Sequence, residues 1–330
     1  MMRKNIAIIM GGYSSEREIS LKSGQVVQRY LEEAGYATFP IDINTDKWVY
    51  LSPNGDQIPV DRSDFSIPLE EGTVHFDCIF NAVHGTPGED GLIQAYFELL
   101  NLPHTSCSSY TSALTFNKRD LLSALGRYGI PAAASVALNN GDEIDTKAIV
   151  ETVGMPCFVK ANRAGSSFGI SKVYEEKDLP KAIALSFEED EQILIEAFLD
   201  GTEVSVGVIP IKGTPTALPI TEIVSENDFF DYKAKYEGQS QEITPARITP
   251  EMKVQIEELA ERIYHLLDAR GFCRSEFIIV DQTPYLLEVN TTPGLTEESI
   301  LPQQAQCAGI SLKELFSSAV ENALHRAEAS

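Results

Sequence analysis

The sequence predicts a mixed architecture, in which an α/β unit built on a parallel sheet precedes an α+β unit. Over roughly the first hundred residues, short apolar runs alternate with stretches of helical periodicity. Glycine-containing loops follow two of these runs, at residues 11–12 and 85–91. Between residues 156 and 211 the connections between apolar runs are short, which is typical of antiparallel strands. Ligand-binding loops are therefore expected at the carboxyl edge of the parallel strands.

The elements of the N-terminal region follow from its hydrophobic periodicity. Ser15 and Glu18 fit a capping box, so a helix is expected to begin at residue 15. The segment between residues 42 and 76 matches no specific pattern. In order, the predicted elements are a strand at 5–10, a helix at 15–34, strands at 36–43 and 77–83, and a helix at 92–100.

The remaining elements include one long irregular segment. Residues 222–241 are polar, aromatic and without periodicity, which predicts a long loop of the kind that often forms a lid. The other predicted helices are at 117–128, 145–153, 251–269 and 312–327. The other predicted strands are at 132–138, 156–162, 170–173, 192–198, 202–211, 273–280 and 285–289.

Composition excludes several classes of partner. The chain has 26 Lys and Arg residues against 49 Asp and Glu, a formal net charge of −23, so it repels nucleic acid and anionic membranes. We find no apolar stretch of the length needed for a membrane span or a signal-peptide core. Five dispersed cysteines without a C-x-x-C pair indicate reduced thiols in a cytoplasmic protein.

Polar side chains on two neighbouring predicted strands form the first candidate site. Alternation places Arg274 and Glu276 on one face of their strand, and Glu288 and Asn290 on one face of the next. If the strands form an antiparallel hairpin, the oxygens converge into a set suited to Mg²⁺, with Arg274 beside a transferring phosphoryl group. Alternating charges also fit a plain solvent face, but the Pro-Gly turn that follows favours the metal site.

A lysine before a glycine-serine loop forms the second candidate site. Lys160 precedes residues 161–169, whose small side chains allow phosphate to approach the backbone. The Walker A spacing is absent and a plain hairpin turn is the alternative, although Lys118 upstream favours phosphate binding. A third segment, Glu196 and the apolar residues after it, suits an adenine pocket with Glu203 on the ribose. Such apolar residues are more often simply core.

Read in order, these segments resemble the ATP-grasp superfamily, and within it the D-alanine–D-alanine ligase family. The resemblance begins with GGYSSEREIS at residues 11–20 and HGTPGEDG at residues 84–91. It continues through GSS at 165–167, DYKAKY at 231–236 and LEVNTTPG at 287–294. Each motif alone has a plain structural explanation, whereas five in the expected order over nearly the whole chain are far more specific.

The resemblance implies an ATP-grasp fold preceded by a Rossmann-like parallel-sheet domain. The implied regions are an N-terminal substrate domain at 1–104, a central ATP-grasp subdomain at 105–198, and a C-terminal subdomain at 199–330 with the metal site and lid loop. The implied reaction is ATP-dependent ligation of two D-alanine molecules through D-alanyl phosphate, for peptidoglycan precursor synthesis. A cytoplasmic homodimer with two Mg²⁺ ions, Mn²⁺ being an alternative, is also implied, without nucleic-acid or membrane partners.

Residue roles are carried over at matching motif positions. Glu16 would bind the ammonium group of the first D-alanine, with His84 near its carboxylate. Ser166 and Tyr236 would join Glu16 in a hydrogen-bonded triad that closes the lid. Contacts with ATP are implied for the phosphate-binding lysines Lys118, Lys160 and Lys235, for Glu196, Phe198, Leu199 and Phe229 around adenine, and for Glu203 on the ribose.

The same resemblance assigns the reacting centre and the metal ligands. Arg274 and the backbone N–H of Gly294 would stabilise the tetrahedral intermediate, and Ser299 would hold the carboxylate of the second D-alanine. The implied metal ligands are Glu276, Glu288 and Asn290. Glu276 departs from the Asp that is usual in the family, but it remains a hard-oxygen ligand.

Other functions remain open at this point. A ligase that joins D-alanine to D-lactate is disfavoured by Tyr236, because lactate-forming relatives tend to place another residue there. Another ATP-grasp carboxylate–amine ligase is a further option. A nucleotide-binding protein without catalysis would be expected to lack the arginine or the carboxylates, and all are present. A nicotinamide-binding protein is disfavoured because Gly11-Gly12 lacks the G-x-G-x-x-G spacing.

Overall fold

The computed structural model describes residues 3–163, 169–225 and 240–329. Its N-terminal sheet has the strand order β4-β3-β2-β1-β7, with β1 parallel to both β2 and β7. The predicted parallel sheet is therefore confirmed. Its strands are β1 (Asn5–Gly11), β2 (Ala37–Ile43), β3 (Trp48–Leu51), β4 (Gln57–Pro59) and β7 (Cys78–Asn81), and the separate hairpin β5 (Ile67–Leu69) and β6 (Gly72–Val74) precedes β7.

Helix α1 begins later than the sequence suggested. It spans Arg17–Glu33, with Glu16 at the N-cap position and no side-chain capping hydrogen bond. The predicted capping box of Ser15 and Glu18 is therefore wrong, because the helix starts two residues beyond Ser15. Ser14 is the serine that binds locally, accepting from the Glu16 N–H at 3.3 Å and donating to the His84 carbonyl at 3.0 Å.

The middle of the chain forms an antiparallel sheet, as its short connections predicted. The strand order is β10-β9-β11-β8, and each neighbouring pair is antiparallel. The elements here are α2 (Leu92–Leu99), α3 (Ser109–Phe116), α4 (Lys118–Gly126), β8 (Ser135–Asn139), α5 (Thr146–Val153), β9 (Cys157–Ala161), β10 (Ser171–Val173), α6 (Leu179–Ser186) and β11 (Gln192–Ala197).

The third sheet has the order β15-β14-β12-β16-β17, with β13 paired to β12. Residues 222–241 are not a loop throughout, because Glu222 pairs with Ile243 and both ends of the segment join this sheet. The elements are β12 (Thr202–Ile211), β13 (Thr214–Ala217), β14 (Thr221–Ser225), β15 (Ser240–Ile243), α7 (Pro250–Leu266), β16 (Cys273–Val280), β17 (Thr283–Asn290), α8 (Ile300–Cys307) and α9 (Leu312–Ala329).

The last helix covers one face of the first sheet. Ile6 and Ile8 of β1 share a core with Phe316 and Val320 of α9, and all four side chains are fully buried. Val27 of α1 belongs to the same core. The N-terminal sheet thus depends on the C-terminal end of the chain for its apolar contacts. The division at residues 104 and 198 stays a prediction.

Where the chain is described, none of its helices combines the length and apolar character needed to cross a bilayer.

Candidate active site

A cavity of about 580 Å³ opens where the loops after β1 and β7 meet the β16–β17 hairpin and the segment before α8. Helix α4 contributes its first residue, Lys118. The cavity brings together residues that lie far apart in sequence, including most of those assigned to substrates and metal. The sequence-predicted residues that line it are Glu16, His84, Lys118, Arg274, Glu276, Glu288, Asn290, Gly294 and Ser299.

The β16–β17 hairpin places its polar side chains opposite one another, as the alternation predicted. Arg274 is the cross-strand partner of Asn290, and Glu276 is that of Glu288. The Arg274 guanidinium donates to Ser205 Oγ at 3.1 Å and forms an ion pair with Glu276. Burial alone would lower the pKa of Arg274, but the Glu276 and Glu288 carboxylates outweigh it and raise that pKa. A permanent cation is therefore held inside the cavity.

Lys118 supplies a second cation to the same cavity. Its Nζ lies 3.2 Å from Glu288 Oε2, and the Glu288 charge raises the pKa of Lys118 despite burial, which acts to lower it. The start of α4 is fixed to the end of β9 through Asn162, whose carbonyl accepts from the Lys118 N–H at 3.3 Å. Asn162 Oδ1 accepts from the Arg119 N–H at 2.8 Å. The backbone of Lys118 is thereby held in place.

His84 is buried at the cavity wall with protein partners on both ring nitrogens. Nδ1 lies 3.0 Å from the Thr292 carbonyl, and Nε2 lies 2.9 Å from Ser23 Oγ. A carbonyl can only accept, so Nδ1 carries the proton and Nε2 accepts from the Ser23 hydroxyl in the neutral ring. Burial lowers the pKa of His84, although the Glu16 carboxylate acts in the opposite direction, so the neutral form is favoured.

The glycine of the second motif permits the close approach of Glu16. Gly85 has φ +67°, and a Cβ there would lie 2.5 Å from Ser14 Oγ and 3.2 Å from Glu16 Oε2. A side chain at this position would collide with the loop that carries Glu16, besides straining the backbone. The two motifs are therefore in direct contact, although 68 residues separate Glu16 from His84 in sequence.

Comparison with known proteins gives matches over nearly the whole chain. The chain matches the family descriptions D-ala D-ala ligase N-terminus over residues 5–107 and D-ala D-ala ligase C-terminus over residues 125–321. A D-alanine--D-alanine ligase of Flavobacterium johnsoniae is 63% identical, covering 97% of this chain and 99% of its own length. One from Christiangramia forsetii is 52% identical, covering 98% and 100%.

This chain belongs to the D-alanine–D-alanine ligase family. Solved structures support the ATP-grasp fold. D-alanyl-alanine synthetase A of Vibrio cholerae matches with a TM-score of 0.88 and 28% identity, covering 98% of this chain and 99% of that one. The VanG D-Ala:D-Ser ligase of Enterococcus faecalis matches with a TM-score of 0.85 and 30% identity, covering 98% and 100%. The predicted family and fold are confirmed.

Glu89 is a functional candidate that sequence analysis missed in this ligase-family chain. It lines the cavity, and its carboxylate lies 3.9 Å from His84 Nδ1. Burial, followed by the nearby Glu16 charge, raises the pKa of Glu89 well above its ordinary value. Its position within the motif at residues 84–91 could have marked Glu89 as a candidate from the sequence. Lys22 and Glu242 also line the cavity, and no motif marked them.

Several residues predicted to contact ATP do not line this cavity. Lys160 and Glu196 are both buried and form an ion pair at 2.5 Å. Phe198 is half-buried, with Lys172 Nζ 4.0 Å from its ring centroid. Leu199 is also half-buried, and Glu203 lies on β12 between Ile223 and Ile278. Four further candidates fall outside the described residues: Ser166, Phe229, Lys235 and Tyr236.

The donor set for a divalent cation consists of two carboxylates and an amide. Glu276 and Glu288 are cross-strand partners, and Asn290 Oδ1 accepts from the Thr292 N–H at 2.8 Å. Within residues 3–163, 169–225 and 240–329, no three His, Cys, Asp or Glu side chains form a metal-binding group. Hard oxygen donors that line the same cavity as Lys118 and Arg274 nevertheless fit Mg²⁺ accompanied by phosphate.

Proposed function

We propose that this chain joins two D-alanine molecules, with the conversion of ATP to ADP and phosphate, and so supplies D-alanyl-D-alanine for peptidoglycan precursors. The observation that carries the proposal is one cavity lined by Glu16, by the cations Lys118 and Arg274, and by the Gly294–Ser299 segment. This cavity can accept an ammonium group, a phosphoryl group and a carboxylate together. Family membership supports the same reaction.

In the first step, a carboxylate oxygen of one D-alanine attacks the γ-phosphorus of ATP, and ADP leaves. The product is D-alanyl phosphate, whose leaving group is far better than the oxide of a free carboxylate. Glu16 attracts the ammonium group of this D-alanine, and Lys118 and Arg274 offset the phosphate charge. Lys160, Glu196, Phe198, Leu199 and Glu203 are proposed to hold the rest of ATP, together with Lys235 and Phe229 from outside the described residues.

In the second step, the amine of the other D-alanine attacks the acyl carbon, phosphate leaves and the amine loses a proton. Arg274 and the Gly294 N–H are proposed to stabilise the oxyanion. Ser299 occupies the N-cap of α8 and makes no capping hydrogen bond with its side chain. The N–H groups at that helix end suit the carboxylate of the second D-alanine. Ser166 and Tyr236, from outside the described residues, are proposed to close the site with Glu16.

Product analysis tests the reaction. With ATP and Mg²⁺, we expect phosphate release to depend on D-alanine and to match dipeptide formation one for one. D-Lactate and D-serine, added as competing acceptors, measure the selectivity of the second subsite. Equal phosphate release with and without D-alanine would contradict the proposal, and a depsipeptide as the main product would replace it with the lactate-forming reaction.

Glu276, Glu288 and Asn290 are proposed to hold two Mg²⁺ ions, with Mn²⁺ as an alternative. When bound, the metal would neutralise the negative charge of the phosphate groups. Glu276 pairs with Arg274 and Glu288 pairs with Lys118, so the carboxylates that would hold the metal lie beside the cations that would bind phosphate.

Removal of one carboxylate charge tests the metal assignment. We expect Glu288→Gln to lower kcat at least a hundredfold, because the amide keeps the shape of the side chain but loses the charge that attracts the cation. Circular dichroism should show an intact fold. Glu298→Gln is the matched control, since Glu298 also lines the cavity but is exposed at its rim. Equal activity of the two variants would contradict the assignment.

The chain is further proposed to act as a cytoplasmic homodimer. The resemblance to the family supports this assembly. Light scattering coupled to size-exclusion chromatography should give twice the chain mass of 36.3 kDa. A mass of one chain at micromolar concentration would contradict the dimer.

A further inference from the structure

The segment that carries Gly294 is tied at both ends to the N-terminal unit. The Thr292 carbonyl accepts from His84 Nδ1 at 3.0 Å, and the Leu295 N–H donates to Ser23 Oγ at 3.3 Å. Gly294 lies between these two anchors. The position of its N–H group therefore depends on His84 of the loop after β7 and on Ser23 of helix α1.

Ser23 connects the two anchors to each other. Its hydroxyl hydrogen bonds to His84 Nε2 at 2.9 Å, while its oxygen accepts from the Leu295 N–H. Ser23 is fully buried, and His84, Thr292 and Leu295 are at most 4% exposed. Water is therefore a poor substitute for any of these partners, and loss of the hydroxyl would leave the Leu295 N–H and His84 Nε2 without their protein partner.

The tautomer of His84 determines which atom donates and which accepts in each of these hydrogen bonds. The Thr292 carbonyl requires a proton on Nδ1, so Nε2 must accept, and the Ser23 hydroxyl provides that donor. With Ser23 in place, both ring nitrogens are satisfied and the imidazole plane is fixed. Without it, the ring loses one of its two orienting bonds.

We propose that Ser23 is a positioning residue for the ligation step, holding the Gly294 N–H at the oxyanion through His84 and Leu295. The proposal rests on the proposed function, because the role of Gly294 belongs to that reaction. Ser23 touches no substrate in this scheme. It sets the distance between the unit that binds the first D-alanine through Glu16 and the loop that stabilises the intermediate.

A second contact between α1 and the same loop lies farther from the centre. Tyr30 OH donates to Glu297 Oε1 at 2.7 Å, and Arg29 forms an ion pair with the same carboxylate. The side chains of Arg29 and Glu297 are about half exposed, so this contact is worth little energetically. Of these two contacts between α1 and the loop, the buried Ser23 bridge is therefore the stronger.

Ser23→Ala tests the proposal by steady-state kinetics. We expect kcat for dipeptide formation to fall about tenfold to a hundredfold, since small displacements of a catalytic donor have effects of this size. KM for ATP should stay within twofold, because the bridge does not touch the nucleotide. Ser23→Cys keeps a weak donor and should give an intermediate kcat, and it serves as the test if the alanine variant does not fold.

Ser20→Ala is the matched control. Ser20 lies on the same helix, is equally buried and also makes two hydrogen bonds, accepting from the Gly11 N–H at 2.8 Å and donating to the Ala82 carbonyl at 2.7 Å. Neither partner belongs to the Gly294 segment. Ser20→Ala should therefore lose a similar amount of stability while keeping kcat within twofold of the wild type.

The outcomes separate this proposal from the proposed function. If the wild type forms the dipeptide and Ser23→Ala has the same kcat, or if Ser20→Ala loses as much kcat as Ser23→Ala, the positioning role is wrong and the ligase reaction stands. If the wild type forms no dipeptide, both proposals are wrong.

Discussion

The charge of each buried titratable side chain at the cavity is set by the balance between burial and its charged neighbours. Arg274 and Lys118 keep their positive charge because facing carboxylates outweigh burial. At His84 burial outweighs the Glu16 carboxylate, and the ring is held neutral. The cavity therefore presents two fixed cations and a neutral imidazole, which suits a site that receives phosphate and must also keep its backbone donors aligned.

His104 is a second buried histidine, away from the cavity. Burial lowers its pKa to about 4, with Arg326 and Arg270 reinforcing the shift and Glu98 opposing it. Since the unfolded chain protonates near pH 6.5, the folded state binds fewer protons between these values. Above pH 6.5, His104 therefore does not change the free energy of unfolding. As the pH falls toward 4, this residue lowers the free energy of unfolding by about 3 kcal/mol at most.

Replacement of His104 should remove this loss. We expect His104→Phe to show a smaller decline in the free energy of unfolding between pH 6.5 and pH 4.5 than the wild type, measured by urea titration at each pH. His75→Asn is the control, because the side chain of His75 is 68% exposed. A parallel decline in wild type and His104→Phe would show that other groups cause the acid sensitivity.

Among the structural elements, the sequence predicted those strands that are long enough to show a two-residue alternation of side chains. The β16–β17 hairpin and the convergence of Glu276 with Glu288 followed from the two-residue repeat. The short strands between residues 42 and 76 were not predicted, because strands of three or four residues carry too few alternations to detect. The capping box failed because Glu16 occupies the N-cap position instead of Ser15, while the neighbouring Ser14 donates to the His84 carbonyl.

The site shows the same limit. The motifs at residues 11–20, 84–91 and 287–294 lie where strands β1, β7 and β17 end, and they identified Glu16, His84, Glu288, Asn290 and Gly294 of the cavity lining. Ser23 could not be identified from sequence, since a serine on the buried face of a helix looks like a packing residue. Its role depends on contacts across 61 and 272 residues of chain, to His84 and Leu295, which only the folded structure provides.

A glycine is required at position 271, just before β16, because the backbone of Thr105 lies very close to it. Its φ is +64°, and a Cβ there would lie 2.0 Å from the Thr105 carbonyl oxygen. Gly129, just after α4, has φ +74°, and a Cβ there would meet none of the described residues within 4 Å. The positive φ disfavours an L-residue at both positions. The difference in stability between the two alanine variants therefore measures the cost of the steric clash alone.

We expect Gly271→Ala to destabilise the fold by about 3 kcal/mol and Gly129→Ala by only about 1 kcal/mol. The larger value arises because backbone, unlike a flexible side chain, cannot move aside. Urea unfolding of both variants measures the difference. Equal losses would mean that the strand β16 shifts without cost, and that φ alone explains the glycine.

At the scale of the whole molecule, the two ends of the chain stabilise each other. Phe316 of α9 is fully buried, and its ring centroid lies 6.1 Å from that of Tyr30 on α1 and 5.9 Å from that of Phe80 on β7. The N-terminal sheet is therefore incomplete until the last helix docks. This arrangement also connects α1, which carries Ser23, to the same C-terminal part of the chain that supplies the proposed metal ligands.

Truncation of the Phe316 ring should thus weaken the N-terminal sheet. We expect Phe316→Ala to cost about 3–5 kcal/mol and to speed amide hydrogen exchange in β1 (Asn5–Gly11), although β1 lies some three hundred residues away in sequence. Leu179→Ala, an equally buried truncation under the middle sheet, should instead speed exchange in β9 (Cys157–Ala161) and leave β1 protected. Unchanged protection of β1 in Phe316→Ala would mean that the N-terminal sheet folds independently of α9, and that its own strands and α1 supply sufficient core.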